Sequence, residues 1–425
     1  MNKKLLISLV VFLLCCGANA QVSSCGGGRY YDDVFQNVTV YSGLVYGQAL
    51  NVNGQNQTLK LDFYKPTGDT ITKRPLILLA FGGSFVFGLR TSPDIVQLCN
   101  AFAKKGYVCA SIDYRLGLSP GGLNITADNV KKAIWRVTHD MRAAVRWMHM
   151  NADVDSLGVD TTHIIVGGVS AGGFGALHCA YLDKESEIPT VMDTATEGGV
   201  EGNSGNPGYS SRPWAVINLC GALLDTSWMQ ADDPPVVTLQ GDKDGSVPYC
   251  TDVEEVFGNP INGLIVAGGN PVERRAWNLG MNTGFYTWWG ADHTPFVLGS
   301  HTAAYMDTTI WYVRDYLSNL LCTTGFTYSR DARTEAACNP VLGIGEMTGS
   351  GISVYPNPSN GFITVQLPEV SGWSVQLLDV TGRILHQSNA TGGKLSVNTS
   401  DMSTGSYVLH ISNGKTQHNQ LVYIQ

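Results

Sequence analysis

A serine hydroxyl is the first candidate for chemistry in this chain. Ser170 is the centre of a G-x-S-x-G pattern that follows the apolar run 163–166 and precedes the helix-prone stretch 174–182. A strand that turns sharply into a helix holds such a serine at a positive φ, and Gly168 and Gly172 are small enough to let the chain pass itself there. The pattern alone is weak in a glycine-rich chain. Its position between a strand and a helix predicts a nucleophilic serine.

A nucleophilic serine needs a general base, and three histidines follow Ser170 in the same domain. His178 lies further along the predicted helix and is interpreted as a structural residue. His301 begins the last predicted helix. His293 occupies a loop directly after an apolar run, where a strand end would bring it beside the serine. We therefore predict His293 as the base, with His301 as the alternative.

The base in turn needs an orienting carboxylate, and two aspartates follow the strand-like run 235–239. Asp242 and Asp244 compete for this role, since each is also typical of a solvated turn. Asp244 lies further into the loop, where Val247 and Pro248 would anchor the turn behind it. The resulting chain order of Ser, Asp and His is a known one for such triads. We predict Asp244 as the acid.

Backbone amides are the expected donors to the oxyanion. The residue after the nucleophile, Ala171, supplies one amide. The apolar run 76–81 leads into Gly82, Gly83 and Ser84, where a glycine pair lets amides approach a bound oxygen. Gly83 and Ser84 are therefore the predicted second half of the oxyanion hole, with an ordinary glycine turn as the alternative.

Aromatic residues cluster in loops after the predicted strands, where open α/β sheets form their pockets. Phe85, Trp288 and Trp289 are the predicted substrate contacts, and Phe87, Trp228 and Tyr249 belong to the same group. Together they favour an apolar acyl or aromatic pocket.

The chemistry needs no metal and no organic cofactor, and no Cys/His spacing is typical of zinc. A catalytic cysteine stays open, although Ser170 has the better setting.

Strand-like and helical runs alternate along most of the chain, which predicts an α/β fold with a mainly parallel sheet covered by helices on both faces. Residues 36–64 form a predicted hairpin. The following strands are expected at 75–81, 107–114, 163–169, 214–220 and 235–239, and the helices at 94–105, 129–151, 174–182 and 301–321. The segment 190–212, rich in Gly, Ser and Asn, is expected to be a mobile surface loop near the site.

The chain ends suggest export. Residues 1–20 carry a charged start, an apolar core and a small-residue cleavage site, which together predict a signal peptide. A lipoprotein anchor at Cys15 or Cys16 is the less favoured alternative. The eight cysteines beyond residue 20 indicate disulfides whose pairing stays open, while Cys109 and Cys220 are interpreted as buried free thiols. The net charge of −8 argues against nucleic acid or anionic membrane surfaces as partners.

Composition changes after Cys338. We predict a catalytic domain over 21–338, a linker over 339–350 and a small all-β sandwich over 351–425, where short alternating runs are separated by turns.

Four blocks of the first domain resemble the α/β-hydrolase superfamily, and specifically its bacterial carboxylesterase branch. They are the segment 81–85 with Gly88, the segment 110–116, the segment 168–172 with Ala176 and Leu177, and the loops of Asp244 and His293. The family usually begins its oxyanion loop with His-Gly-Gly-Gly, whereas Phe81 and Ser84 stand at the first and last of these positions here. The resemblance implies an α/β-hydrolase fold and ester hydrolysis.

Residues 352–425 resemble the C-terminal sorting domain of the Bacteroidota type IX secretion system, through the segments 354–361, 378–383 and 404–408. The resemblance implies that the type IX machinery is a partner and that this tail is usually removed outside the cell. The expected location is secreted or at the cell surface after passage through the periplasm, with no stable membrane insertion.

The sequence therefore predicts a secreted serine carboxylesterase that acts on a small-molecule or polymeric ester. A lipase or polyester hydrolase and a serine peptidase of the same fold are the alternatives among enzymes. A non-catalytic surface binding protein on a hydrolase scaffold is the alternative from another class.

Overall fold

The structure is a computed structural model. It describes residues 25–118, 125–152, 157–256, 259–330, 332–338, 352–368, 372–379, 383–391, 393–413 and 417–425. The predicted signal peptide (1–20) and linker (339–350) lie outside the described residues. The chain divides into two compact units, Met1–Cys338 and Asn339–Gln425.

A sheet of eight strands forms the centre of the first unit. The strands of this unit are β1 (Val38–Leu50), β2 (Asn56–Pro66), β3 (Arg74–Ala80), β4 (Val108–Ile112), β5 (Val159–Val169), β6 (Ala215–Leu219), β7 (Val236–Gly241), β8 (Thr251–Val256), β9 (Asn259–Ala267) and β10 (Thr283–Trp288). The central sheet has the order β1-β2-β4-β3-β5-β6-β7-β10, and β8 and β9 form a separate hairpin. β1 and β2 join antiparallel at one edge, and the remaining six strands are parallel.

Helices cover this sheet. They are α1 (Pro93–Lys104), α2 (Ala127–Met150), α3 (Ala171–Tyr181), α4 (Thr194–Glu197), α5 (Gly269–Asn278), α6 (Thr302–Cys322) and α7 (Ala332–Ala337). All seven residues of β3 are buried, as a strand covered on both faces requires. The predicted α/β architecture is confirmed, and the predicted strands and helices lie within a few residues of the observed ones.

The elements that were not predicted from the sequence include β8, β9 and α5. The strand β8 has the sequence TDVEEV, and its three acidic residues are depleted in strands generally. Its partner β9 completes a hairpin that packs outside the main sheet. The helix α5 begins with Gly-Asn-Pro, residues that are typical of a turn. In each case tertiary packing outweighs the local preference.

Two disulfide bonds join distant parts of the first unit. Cys25 pairs with Cys322, and Cys250 pairs with Cys338. The prediction of disulfides is confirmed. The remaining described cysteines are free and buried, as expected for Cys109 and Cys220: Cys99, Cys109, Cys179 and Cys220.

The second unit is entirely β-structure among its described residues. Its strands are β11 (Ser353–Tyr355), β12 (Phe362–Leu367), β13 (Trp373–Leu378), β14 (Ile384–Ala390), β15 (Gly393–Asn398), β16 (Gly405–Ser412) and β17 (Gln417–Ile424). They form antiparallel sheets of three strands (β11-β12-β15) and four strands (β14-β13-β16-β17). Ile363, Trp373 and Leu409 belong to one buried apolar cluster that both sheets share. The predicted all-β domain is confirmed.

Candidate active site

Ser170 occupies a sharp turn between β5 and α3. It has φ 52° and ψ −116°, a left-handed conformation that costs about 1–3 kcal/mol for a residue with a side chain. A Cβ atom on Gly168 would lie 2.2 Å from the carbonyl carbon of Gly172. A Cβ atom on Gly172 would lie 2.1 Å from the carbonyl oxygen of Ala80. Both glycines are therefore required by close backbone contacts, and the turn presents the serine side chain at the carboxyl edge of the sheet.

The structure brings three of the predicted residues together. The imidazole Nε2 of His293 lies 2.9 Å from Ser170 Oγ. The other ring nitrogen, Nδ1, lies 2.8 Å from Oδ2 of Asp244. His293 follows β10 and Asp244 follows β7, two parallel neighbours whose carboxyl ends meet at one edge. The geometry allows a proton to pass from the serine to the imidazole while the carboxylate fixes the ring.

Asp244 is held in one orientation by a complete set of donors. Its Oδ1 accepts hydrogen bonds from the amides of Ser246 and Val247, at 3.0 and 2.9 Å. Its Oδ2 accepts one from the side-chain amide of Gln240, at 3.1 Å. The carboxylate is fully buried, so these bonds replace water and leave one oxygen aimed at the histidine. Gln240 was missed, although a polar residue at the end of an apolar strand is a signal that could have found it.

A second carboxylate, that of Asp292, links the loop that carries His293 to the loop that carries Asp244. Oδ1 of Asp292 accepts hydrogen bonds from the amides of Gly245, at 2.9 Å, and His293, at 2.7 Å. The Gly245 amide is the largest cause of the lowered pKa of Asp292. Asp292 was also missed, because a single aspartate in a loop gives no pattern in the sequence.

The competing candidates take structural roles. Asp242 accepts a hydrogen bond from the amide of Gly290. His178 is buried in α3, where its Nδ1 lies 2.7 Å from the carbonyl oxygen of Phe174. His301 is exposed at the start of α6. Among the described contacts, none of these three side chains reaches Ser170.

The predicted oxyanion loop passes directly beside the nucleophile. A Cβ atom on Gly82 would lie 3.3 Å from Ser170 Cβ. Gly83 and Ser84 both have positive φ values, 125° and 53°. Within the described residues, neither of their amides donates a hydrogen bond to another protein group. The amides of Gly83 and Ser84, like that of Ala171 at the start of α3, are thus candidates for donors to a bound oxygen.

Tyr114 supports Phe81, the first residue of this loop, which stands where the family usually has a histidine. Its ring stacks on Phe81 with centroids 4.2 Å apart and an interplanar angle of 20°. Its hydroxyl donates to the carbonyl oxygen of Phe81 at 3.0 Å. The residue that replaces the histidine is therefore fixed by stacking and by a backbone hydrogen bond.

Arg90, which follows the oxyanion loop, anchors the chain to two aspartates. The Arg90 guanidinium donates to Asp62 Oδ1 at 2.8 Å and to Asp113 Oδ2 at 2.6 Å. The Arg90 amide also donates to Asp113 Oδ1 at 2.9 Å. Neither Arg90 nor Asp113 was predicted from the sequence as a site residue. The contacts indicate an anchoring role for both.

The predicted aromatic contacts differ in their exposure and packing. Trp288 is 5 % exposed and packs against Phe296 and Tyr305. Trp289 lies beneath the guanidinium of Arg333, 3.7 Å from the ring centroid. Trp288 is therefore part of the interior packing, whereas Trp289 is half-buried and forms a cation–π pair.

Phe85 is similarly enclosed. It is 3 % exposed and meets Phe174 edge to face at 5.9 Å. Of the wider aromatic group, Trp228 and Tyr249 are buried, whereas Phe87 is 57 % exposed. The sequence could not distinguish these cases, because all six residues follow strands and only the tertiary packing decides which of them face solvent.

The central part of the segment 190–212, which was expected to be a mobile surface loop, forms hydrogen bonds to α2. Ser204 Oγ donates to Asp140 Oδ1 at 2.6 Å. Arg146, 3 % exposed on α2, donates to the carbonyl oxygen of Gly205 at 3.0 and 2.8 Å. Buried charged groups that lose their partners are costly, so these contacts hold the loop against α2.

Cys220, which was not predicted as a site residue, lies close to Asp244 and His293. The sulfur of Cys220, a carboxylate oxygen of Asp244 and a ring nitrogen of His293 lie within 4.8 Å of one another. Burial, followed by the charge of Asp244, raises the pKa of the Cys220 thiol well above its ordinary value. A metal ligand or a nucleophile has to be a thiolate, so this environment disfavours both roles for Cys220.

Comparison with known families identifies both parts of the chain. Residues 61–206 match the family BD-FAE, an esterase family of the α/β-hydrolase type. Residues 353–425 match the secretion system C-terminal sorting domain. No curated protein sequence matches the chain. These matches confirm both resemblances inferred from the sequence: residues 61–206 are similar to an esterase family of the α/β-hydrolase type, and residues 353–425 are similar to a sorting domain, whose presence implies export.

Solved structures that match the chain include esterase 2 of the planctomycete Thermogutta terrifontis. Its propionate-bound form is 21 % identical with a TM-score of 0.46, and the match covers 68 % of this chain and 96 % of that one. Its butyrate-bound form is 20 % identical with a TM-score of 0.47, and the match covers 71 % of this chain and 98 % of that one.

Within the described part of the chain, no helix has the length and hydropathy that a bilayer span needs.

Proposed function

We propose that this protein is a secreted serine carboxylesterase that hydrolyses carboxylic ester bonds through an acyl-enzyme. Ser170 is the nucleophile, His293 the general base and Asp244 the residue that orients the base. The amides of Gly83, Ser84 and Ala171 are the oxyanion donors. The type IX sorting domain carries the enzyme to the outside of the cell.

Acylation begins when Ser170 Oγ attacks the ester carbonyl and its proton moves to His293 Nε2. The imidazolium that forms is stabilised by the Asp244 carboxylate on its other nitrogen. Negative charge collects on the former carbonyl oxygen, where each preorganised donor is worth about 3 kcal/mol. The imidazolium then gives its proton to the departing alcohol, and the acyl group stays on the serine.

Deacylation repeats these steps with water. His293 Nε2 takes a proton from a water molecule that attacks the acyl carbonyl, and the same donors hold the second tetrahedral oxyanion. When the intermediate collapses, the proton returns to Ser170 Oγ and the carboxylic acid leaves. No metal or organic cofactor takes part in the proposed cycle.

The observation that carries the proposal is the continuous hydrogen-bonded path from Ser170 through His293 to Asp244, with separations of 2.9 and 2.8 Å. A strained serine and a fully buried, four-bonded aspartate are costly to maintain without a use. This makes a binding protein on an inactive hydrolase scaffold the weaker explanation.

Labelling with a fluorophosphonate probe tests the proposal directly. The native full-length protein is expected to form an adduct on Ser170, identified by peptide mass spectrometry, and to hydrolyse p-nitrophenyl esters. Heat-unfolded protein and Ser170→Ala should do neither. A folded wild-type protein that neither takes up the probe nor hydrolyses any ester in the panel would refute the proposal.

A lipase or polyester hydrolase is a second candidate, favoured by exposed apolar side chains on the loops that carry the oxyanion donors and the histidine. Leu89 follows Ser84 by five residues and Leu298 follows His293 by five residues, and each is 61 % exposed. Exposed apolar residues on loops that form a catalytic site suit long acyl chains or a hydrophobic polymer surface. Release of soluble products from a polyester film, compared with p-nitrophenyl acetate hydrolysis, separates this candidate from a small-ester enzyme. A dipeptide amide panel covers the serine peptidase alternative.

A further inference from the structure

The peptide unit that joins Leu219 to Cys220 lies between the nucleophile and the acid. The carbonyl oxygen of Leu219 accepts the amide of Ser170 at 2.8 Å. On the other side, the Cys220 amide donates to the carbonyl oxygen of Leu239 in β7, the strand that leads to Asp244. Because β6 lies between β5 and β7, Cys220, the residue after β6, lies between the strand ends that lead to Ser170 and Asp244.

Strained backbone converges on this point. Cys220 has φ 56° and Thr294, which follows the histidine, has φ 44°. Together with Ser170 they are three non-glycine residues in the left-handed region around one site. Left-handed backbone is rare for a β-branched residue such as threonine, and such strain persists where the surrounding structure imposes it.

The Cys220 side chain is the group that fills the space these turns enclose. It is fully buried, and its sulfur lies within 4.8 Å of both the Asp244 carboxylate and the His293 ring. The amides of Thr294 and Gly241 face the sulfur. It therefore lies close to the acid and the base and faces backbone amides of both loops that carry them.

We propose that Cys220 is a positioning residue for the esterase reaction: its sulfur packs behind the His293–Asp244 pair, excludes water from their hydrogen bond and fixes the angle of the imidazole. This inference rests on the proposed function. A buried hydrogen bond kept from water is stronger than an exposed one, and a displaced catalytic group loses rate steeply with distance. The thiol takes no part in bond making or breaking.

Two substitutions distinguish the effect of the Cys220 sulfur from the effect of the left-handed backbone at this residue. Cys220→Gly suits the left-handed backbone and removes only the side chain, whereas Cys220→Ala keeps a Cβ atom at the same φ. Cys109→Ala is the matched control, because Cys109 is also a free, fully buried thiol but lies in β4. The full chain is used throughout, and active sites are counted by fluorophosphonate titration so that only folded enzyme contributes to kcat.

Both Cys220 variants are expected to lose roughly ten- to hundredfold in kcat per titrated site, with KM for p-nitrophenyl acetate within about twofold of wild type. The rate of probe labelling should fall in parallel. Cys109→Ala should keep kcat even if its melting temperature falls by as much. A merely structural role would lower the melting temperature of all three variants and leave kcat per site unchanged, and that result would overturn the inference.

The two proposals fail in different ways. Wild-type protein without esterase activity or labelling contradicts the proposed function. Active wild-type enzyme whose Cys220→Gly and Cys220→Ala forms retain kcat contradicts only the role of Cys220. If one variant does not fold, the other, normalised to titrated sites, still decides the question.

Discussion

The imidazole of His293 lies 2.9 Å from the hydroxyl of Ser170, although 123 residues separate them along the chain. The contact exists because β5 and β10 end at the same edge of a parallel sheet. Asp292 then ties the histidine loop to the loop of Asp244. The predictions below test what this contact and its supports contribute.

Removing the orienting carboxylate should abolish most of the activity. Asp244→Asn keeps the shape but favours the wrong imidazole tautomer, so we expect kcat to fall about 10⁴-fold in p-nitrophenyl ester assays. Asp242→Asn is the matched control and should keep kcat within about tenfold. Likewise His293→Ala should be inactive, whereas His301→Ala should be near wild type. Equal losses in the two aspartate variants would argue against the assignment of Asp244.

The Tyr114 hydroxyl should matter through the oxyanion loop. Tyr114→Phe keeps the stack on Phe81 but leaves the Phe81 carbonyl without its donor, a loss of about 1–3 kcal/mol. We expect a lower melting temperature and a several-fold fall in kcat. Tyr107→Phe is the control, since the buried Tyr107 hydroxyl has no hydrogen-bond partner among the described residues. An unchanged kcat for Tyr114→Phe would show that the stack alone fixes the loop.

The sequence predicted what depends on local pattern. The elbow of Ser170, the strand ends that carry Asp244 and His293, and the alternation of strands and helices all leave marks in consecutive residues. Supports that act across the fold leave none: Gln240, Asp292 and Cys220 are single residues whose meaning depends on neighbours far along the chain. The burial of the aromatic residues could not be predicted for the same reason, because a tryptophan at a strand end looks identical in sequence whether it faces solvent or the interior.

The two disulfides should stabilise the first unit unequally. Cys25–Cys322 spans 297 residues and Cys250–Cys338 spans 88. In the chain-entropy description each bond is worth about 2–5 kcal/mol, and the longer loop about 1 kcal/mol more. The double variant Cys25→Ser with Cys322→Ser should therefore melt lower than Cys250→Ser with Cys338→Ser, as followed by calorimetry. The reverse order would mean that native-state contacts, not loop length, set the difference.

The apolar residues beside the site should tune acyl length. Leu89→Ser and Leu298→Ser are expected to raise KM several-fold for p-nitrophenyl octanoate and to leave acetate hydrolysis unchanged, because only a long chain reaches them. Val45→Ser is the control, since Val45 is 54 % exposed but lies on the edge strand β1. If all three variants keep the wild-type preference, the acyl chain binds elsewhere.

His178 should make the first unit sensitive to acid. Burial lowers the pKa of His178 to about 4, against 6.5 when unfolded. The unfolded chain then binds the proton more readily, so stability is full above pH 6.5 and falls as the pH drops toward 4. Between pH 7 and 5 the loss is about 2 kcal/mol.

His178→Gln should remove that part of the pH dependence, measured as the urea concentration that halves probe labelling at each pH. The exposed His301→Gln is the control and should retain the wild-type dependence. A His178→Gln protein that loses as much stability between pH 7 and 5 as wild type would assign the acid sensitivity to other groups.

The bond between Cys250 and Cys338 has a consequence for maturation. Cys338 is the last residue of the first compact unit, so a protease that cuts the chain between the two units creates a new carboxyl terminus that follows a disulfide-bonded residue. Such a cut removes the sorting domain, and the disulfide keeps the new carboxyl terminus bound to the rest of the first unit. Fraying from that end, or trimming by exopeptidases, would then stop at the cystine.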